Sequence, residues 1–155
     1  MKGLEVIGSY LDEWNIVTIT VRLILAVVCG GAIGLTRSVK RRGAGFKTHA
    51  LVCLGSALVM MTGQYIYVDF GAISDIARLA AQVISGVGFL GVGTIMVTRD
   101  NHVKGLTTAA GLWTCAGIGL SIGIGFYSGA AITTILVLVI YRFMGRVDEI
   151  AYEHS

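Results

Sequence analysis

The chain alternates between long apolar runs and short polar stretches. A helix needs roughly 20 apolar residues to cross a hydrocarbon core of about 30 Å. Five runs approach or reach that length: Ile16–Leu35, Thr48–Val68, Ile76–Val97, Leu106–Phe126 and Ser128–Met144. The pattern therefore predicts an all-α, polytopic membrane protein with one five-helix transmembrane domain over residues 16–145.

The last two runs are almost continuous and have to be divided. As one helix, Leu106–Met144 would be close to 60 Å long, about twice the thickness of the hydrocarbon core. Gly123, Gly125 and Gly129 stand where the chain would have to fold back. Glycine tolerates the positive φ of a tight turn, so we predict a turn here.

Composition agrees with a membrane location. The chain is 55% hydrophobic and 14% charged, and it has no proline, whereas a soluble domain has about a quarter charged residues. The formal charge of +3 is better explained by a lipid bilayer than by nucleic acid. Cys29, Cys53 and Cys115 lie inside apolar runs, where we expect plain packing rather than a disulfide or a zinc site.

The distribution of charge predicts the topology. Lysine and arginine favour the cytoplasmic side of short loops. Five crossings place nine of them on one side, from Arg37 to Arg146, and leave Lys2 as the clear basic residue opposite. The acidic residues on that second side are Glu5, Asp12, Glu13, Asp69 and Asp75. We therefore expect an outside N-terminus, a cytoplasmic C-terminus and a short cytoplasmic tail over residues 146–155.

The first fifteen residues lack the pattern of a signal peptide, which has a basic start, a short apolar core and a cleavage site. Leu4, Ile7, Leu11 and Trp14 instead fall at helical spacing. This spacing predicts an amphipathic helix on the outer membrane surface over residues 1–15. The alternative is a frayed tail.

Small residues at short spacing predict how the helices pack. Helices in lipid associate through close packing, which small residues permit, and the chain offers Gly30, Gly34, Gly86, Gly88 and Gly91. A further stripe at four-residue spacing consists of Gly117, Ser121, Gly125 and Gly129. From these residues we expect helix packing and a homo-oligomer, a dimer, through a glycine-rich face.

The segment 86–91 also matches the dinucleotide-binding pattern G-x-G-x-x-G. That fingerprint must follow a strand and open a helix within a βαβ unit. Here it lies inside an apolar run of membrane length, so we expect no nucleotide and no other cofactor.

Ionisable groups within membrane spans are costly and usually have partners. Arg22 lies about two turns into the first span, and Asp75, Arg78 and Gln82 stand at the outer end of the third. We predict that Asp75 caps the third helix and that these four residues form a polar cluster, with Asp69 as the substitute partner of Arg22. The alternative is a structural cap beside arginines that extend to the interface. No metal site is predicted, and Asp75 is the one residue considered for holding a cation.

A second polar motif lies at the cytoplasmic side. It consists of Lys47, Thr48, His49, Thr107, Thr108 and Trp113. Thr107 is predicted to cap the fourth helix, and Thr108 to bond a carbonyl one turn back. His49 is expected to be satisfied locally rather than to bind a metal. Trp113 is too deep for an interfacial residue and is predicted to pack between helices.

Five segments occur in a recognisable order: Arg22–Ala26, Gly30–Leu35, Gly45–Val52, Asp75–Gly91 and Gly105–Trp113. They resemble the MgtC/SapB family of bacterial inner-membrane proteins, over residues 20 to 140. Two positions depart from the family pattern. Thr36 stands where the family usually has Glu, which puts in doubt a role that needs a carboxylate there, and Ile76 replaces the usual Pro. Many relatives carry a soluble C-terminal domain, but ten residues follow Gly145 here, so we expect a short form.

The resemblance implies a multi-pass protein of the bacterial inner membrane, linked to growth at low magnesium, acid stress and survival inside host cells. It also implies that some members modulate the proton ATP synthase. The sequence contains no H-E-x-x-H motif and no aspartate pair within two membrane spans, so we expect no enzyme. The leading interpretation is a stress or regulatory protein that binds membrane partners. The alternative is a small oligomeric transporter or channel for Mg²⁺ or protons.

Overall fold

The computed structural model describes residues 15–39, 43–70, 75–99 and 102–152. Within them the chain forms five α-helices and one hairpin: α1 Ile16–Val39, α2 Phe46–Phe70, α3 Ile76–Val92, β1 Met96–Val97, β2 Val103–Lys104, α4 Leu106–Gly123 and α5 Tyr127–Tyr152. The predicted all-α class is therefore confirmed, with the short hairpin as an addition. The predicted surface helix lies, except for Asn15, outside the described residues.

Three of the described helices have the length and apolar character to cross a membrane: α1 over Ile16–Ser38, α2 over Phe46–Val68, and α4. Two shorter apolar helices, Ile76–Val92 and Tyr127–Phe143, accompany them. A helix of 17 residues stands at the lower limit for crossing. The last helix continues to Tyr152, so the predicted tail from residue 146 is helical as far as it is described.

The second helix lies between α1 and α4. Gly30 and Gly34 bring α1 against it, because a Cβ at Gly30 would lie 2.6 Å from the His49 carbonyl oxygen and one at Gly34 would lie 2.7 Å from that of Gly45. These two glycines thus pack helices within one chain. Gly30 and Gly34 therefore do not offer a free face to a second copy of the chain.

On its other side, α2 contacts a glycine stripe of α4. A Cβ at Gly123 would lie 2.6 Å from the Ala57 carbonyl oxygen, and one at Gly119 would overlap that of Cys53. This stripe is not the one predicted, since Gly117 has nothing within 4 Å of an added Cβ. The two stripes differ by a rotation of the helix, which small-residue spacing alone does not specify.

The interior of the bundle is apolar and made of small and branched side chains. Its buried residues are Ala26, Ile33, Cys53, Ala57, Cys115, Ile118, Ile122 and Ala130. Cys53 and Cys115 belong to this core and Cys29 packs against it, and all three cysteines are free. The expectation that the cysteines pack as small hydrophobes is confirmed.

The third helix ends at Val92, five residues before the predicted boundary at Val97. The Thr94 hydroxyl donates to the Gly91 carbonyl, and the chain then turns into the hairpin, where Met96 pairs with Lys104 and Val97 with Val103. The apolar run continues through Val97, although its residues beyond the helix form a strand. Hydropathy therefore overestimated the length of this span.

Gly105 closes the hairpin onto the end of α3. Its φ is 99°, in the left-handed region, and an added Cβ would overlap the Thr94 carbonyl oxygen. Both facts favour glycine at this position. The turn between α4 and α5 lies at residues 124–126, and Gly125 there has a φ of 88°, as the sequence predicted.

The glycine stripe of α4 yields a direct test. Gly119→Ala should lower the free energy of unfolding by about 1–3 kcal/mol, because the added methyl group meets backbone of α2 that cannot move aside alone. Thermal unfolding in detergent measures this change. Gly117→Ala is the control, and it should not lower the free energy of unfolding, because its surroundings are open and alanine favours a helix over glycine. Equal effects of the two substitutions would contradict the described packing of α4.

Candidate functional site: two buried arginine clusters

A first polar cluster surrounds Arg22 on α1. Only 5% of the surface of Arg22 is exposed. Its Nε donates to the Tyr127 hydroxyl at 2.9 Å. Its Nη1 donates to the Gly123 carbonyl at 2.8 Å and to Gln64 Oε1 at 3.3 Å. Gly123 is the last residue of α4, where carbonyls lack helical partners and the helix dipole favours a cation. Arg22 thus joins α1 to α2, α4 and the start of α5.

A second cluster surrounds Arg37, near the other end of α1. Its Nη2 donates to the buried Thr108 hydroxyl at 2.9 Å, and the guanidinium carbon lies 4.8 Å from the centroid of the Tyr141 ring. This is a cation–π distance. The Tyr141 hydroxyl donates to the Thr107 carbonyl at 3.3 Å. Arg37 thus joins α1 to the start of α4 and to α5.

The two clusters have matching geometry. Each arginine contacts α4 and a tyrosine of α5, and the paired positions on each helix are 14 or 15 residues apart, about 22 Å along the axis. These positions are 22 and 37 on α1, 108 and 123 on α4, and 127 and 141 on α5. The first and fifth helices therefore run parallel and α4 runs antiparallel to both. Both clusters fit near opposite ends of a hydrocarbon core of about 30 Å.

His49 lies completely buried beside the second cluster. Its Nδ1 is 2.9 Å from the Gly45 carbonyl oxygen, which can only accept, so Nδ1 carries the proton in the neutral ring. Nε2 is then an acceptor, and it has no hydrogen-bond partner among the described residues. A Cβ at Gly111 would lie 3.3 Å from Nε2 and would overlap the Tyr141 hydroxyl. Glycine at 111 thus lets these two side chains approach α4 closely.

The predicted cluster of Arg22 with Asp75, Arg78 and Gln82 stays a prediction, since the contacts described for Arg22 do not include them. Asp75 caps α3, with Oδ1 accepting from the Ala77 amide at 3.0 Å, so the predicted cap is confirmed. Arg78 and Gln82 are exposed on α3. The hydrogen bonds described for Arg22 instead involve Gln64, Tyr127 and Gly123. The side chain of Asp69 lies outside the description.

Two predictions for the cytoplasmic motif need correction. The N-cap of α4 is Gly105, so Thr107 lies inside the first turn and does not cap it. Thr108 was expected to bond a carbonyl one turn back, and its described bond is the one from Arg37. Lys47 and Thr48 are exposed at the start of α2.

Trp113 does not pack between helices within the chain, because 51% of its surface is exposed. It borders an open groove of about 230 Å³ between α3 and α4. Gly88 lies in the same groove, and an added Cβ there would have nothing within 4 Å. A Cβ added at Gly91 would lie 3.4 Å from the Ala109 methyl group. This groove offers small and aromatic residues to a neighbour outside the chain.

Chemically, both clusters consist of a guanidinium group bonded to neutral hydroxyl, amide and carbonyl groups. No group of three or more His, Cys, Asp or Glu able to hold a metal ion occurs in the described part of the chain. Arg37, Gln64, Tyr127 and Tyr141 were missed as cluster residues. One signal was available in the sequence. The two arginines of α1 are 15 positions apart and the two tyrosines of α5 are 14 apart, and both spacings are close to four helical turns.

Comparison with known proteins shows where the chain belongs. The profile of the MgtC family matches residues 23–150. A protein of Escherichia coli K12 named "Putative magnesium transporter YhiD" is 47% identical over 94 residues, which cover 58% of this chain and 43% of that protein. No solved structure matches the chain.

Two other relatives cover more of the chain. "Protein MgtC" of Brucella abortus strain 2308 is 39% identical over 115 residues, covering 74% of this chain and 46% of that protein. An uncharacterized protein of Haemophilus influenzae is 39% identical over 139 residues, covering 86% of this chain and 58% of that protein. The chain therefore spans about half the length of the curated relatives that it matches.

The Arg37 cluster can be tested by removing one acceptor. Thr108→Val keeps the shape of the side chain and deprives the guanidinium of its hydroxyl partner, which should cost about 1–3 kcal/mol of unfolding free energy. Thr114→Val is the matched control, since that hydroxyl bonds only within α4, to the Ala110 carbonyl. Detergent unfolding curves compare the two variants. If the two variants have the same unfolding free energy, the hydrogen bond from Arg37 to Thr108 does not stabilise the fold.

Proposed function

The chain belongs to the MgtC family, and we propose that it is a non-enzymatic stress or regulatory protein of the bacterial inner membrane. In this proposal it acts by binding other membrane proteins, including a second copy of itself, and does not conduct ions by itself. The observation that carries the proposal is an apolar, closely packed middle between two polar ends.

A conducting pathway needs polar groups along its length to replace the water around an ion. Here the buried guanidinium groups belong to clusters about 22 Å apart along α1. Between them the core consists mainly of apolar groups such as Ile33, Cys53 and Ile118, each at most 1% exposed. The buried hydroxyls of Ser56 and Thr134 each donate to a carbonyl of their own helix. Gly119 of α4 is in close contact with the backbone of α2, which leaves little room for an ion or water between these two helices. These features favour a rigid, closed bundle.

The groove beside Trp113 supports a binding role. It contains Gly88 of α3 and the half-exposed indole of Trp113 on α4. Phe89, also on α3, is 82% exposed. Small residues beside large apolar ones allow the close helix approach that drives association in lipid. The surface that we propose for a dimer is therefore α3 with α4, in place of Gly30 and Gly34. The family resemblance adds the proton ATP synthase as a candidate partner of this surface.

We further propose five crossings with an outside N-terminus and a cytoplasmic C-terminus. The connection from α1 to α2, the hairpin and the Tyr141 region of α5 all lie at the Arg37 end of the bundle. Arg37, Lys47, Lys104 and Arg142 thus share that end, as the positive-inside tendency requires of a cytoplasmic side. A reporter fused to the C-terminus, active only in the cytoplasm, should be active.

The second candidate function is magnesium or proton transport by an oligomer. The name of the Escherichia coli relative favours it, and several copies could enclose a pathway that one chain lacks. In that case the polar path would lie between copies and not through the apolar core described above.

Flux through proteoliposomes separates the two candidates. Vesicles that contain the purified protein and an entrapped Mg²⁺ or pH indicator should show no more flux than protein-free vesicles, because the core provides no polar path. An ionophore added at the end proves that the vesicles are sealed and the indicator responds. Saturable Mg²⁺ or proton flux that depends on the protein would contradict the proposal and favour the transporter.

A further inference from the structure

We propose that the groove between α2 and α3 is a binding site for one anionic phospholipid. The groove has a volume of about 570 Å³ and is lined mainly by apolar side chains of both helices, with Lys47 and Thr48 at one end. An acyl chain would occupy the apolar part, and the phosphate would lie at Lys47 and Thr48. This site is separate from both arginine clusters and does not depend on whether the protein regulates or transports.

Two glycines keep the groove open. Gly55 lies on the α2 wall and Gly86 on the α3 wall, and an added Cβ would meet nothing within 4 Å at either position. The other glycines of α2 and α4 mostly face closely packed neighbours, whereas these two face space. A side chain at either position would project into the groove.

The length of the groove matches one leaflet of a bilayer. Lys47 and Val59, both in its lining, are twelve positions apart, which corresponds to about 18 Å along α2. Half of a hydrocarbon core of about 30 Å is about 15 Å. An acyl chain that enters beside Lys47 therefore reaches the level of Val59 near the middle of the membrane.

The charge at the open end selects the headgroup. Lys47 and Thr48 are exposed and lie in the first turn of α2, where backbone amides lack helical partners and attract phosphate. Each basic residue near the surface favours an anionic headgroup by about fivefold in affinity. These features favour phosphatidylglycerol or cardiolipin over a zwitterionic lipid.

Native mass spectrometry of the full chain, released from nanodiscs of mixed phosphatidylglycerol and phosphatidylcholine, tests the site. Wild type should retain one phosphatidylglycerol in preference to phosphatidylcholine. Lys47→Glu should reduce that retention by roughly fivefold or more. Lys104→Glu makes the same charge change at the same end of the bundle but outside the groove, and should reduce retention less than Lys47→Glu does.

Filling the groove supplies an independent arm. Gly86→Leu should abolish retention, whereas Gly117→Leu on α4, also open around its Cβ, should not. If Gly86→Leu fails to fold, Gly55→Leu fills the groove from the opposite wall. Equal retention of the two lipids, unaffected by Lys47→Glu, would overturn the proposal. A lipid-free dimer that Gly86→Leu dissociates would also overturn it and assign the groove to a second copy.

Discussion

A guanidinium group cannot stay in a hydrocarbon environment without partners, and this constraint positions most of the bundle. Arg22 and Arg37 are both buried on α1. Each has partners on α4 and α5, and Arg22 has a further one in Gln64 of α2. Leaving either charge unpaired would be costly at the level of several kcal/mol. The three helices are therefore held in register at two levels, while α2 is set against α1 and α4 by glycine contacts.

The separation of polar clusters at the ends from an apolar middle has a functional consequence. The polar groups that a membrane protein needs for specificity are concentrated near the ends, and the middle is closed by small side chains at van der Waals contact. The outer surface around α3 has an open groove on each side of the helix. One groove has Lys47 and Thr48 at one end, and the other is bordered by the half-exposed Trp113. A rigid bundle with such a surface is suited to binding.

The sequence predicted the class, the helix order and the turn at Gly125, because hydropathy and glycine report directly on membrane spans and backbone freedom. It predicted the end of α3 poorly, since Met96 and Val97 are as apolar in a strand as in a helix. The partners of Arg22 were not predictable in the same way. One is the carbonyl of Gly123, which any residue would supply, and Tyr127 is 105 positions away. Asp75 was predicted as a partner by charge, and its described bond is the one that its carboxylate accepts from the Ala77 amide of its own helix.

A double-mutant cycle between Arg22 and Tyr127 measures the central interaction most directly. Unfolding free energies in detergent would be compared for Arg22→Gln, Tyr127→Phe and the double variant, with Arg78→Gln and Tyr127→Phe as the control pair. The account predicts a coupling energy of about 1 kcal/mol or more for Arg22 with Tyr127, and additivity within about 0.5 kcal/mol for the control. Additive effects of Arg22→Gln and Tyr127→Phe would contradict the claim that this pair holds α1 to α5.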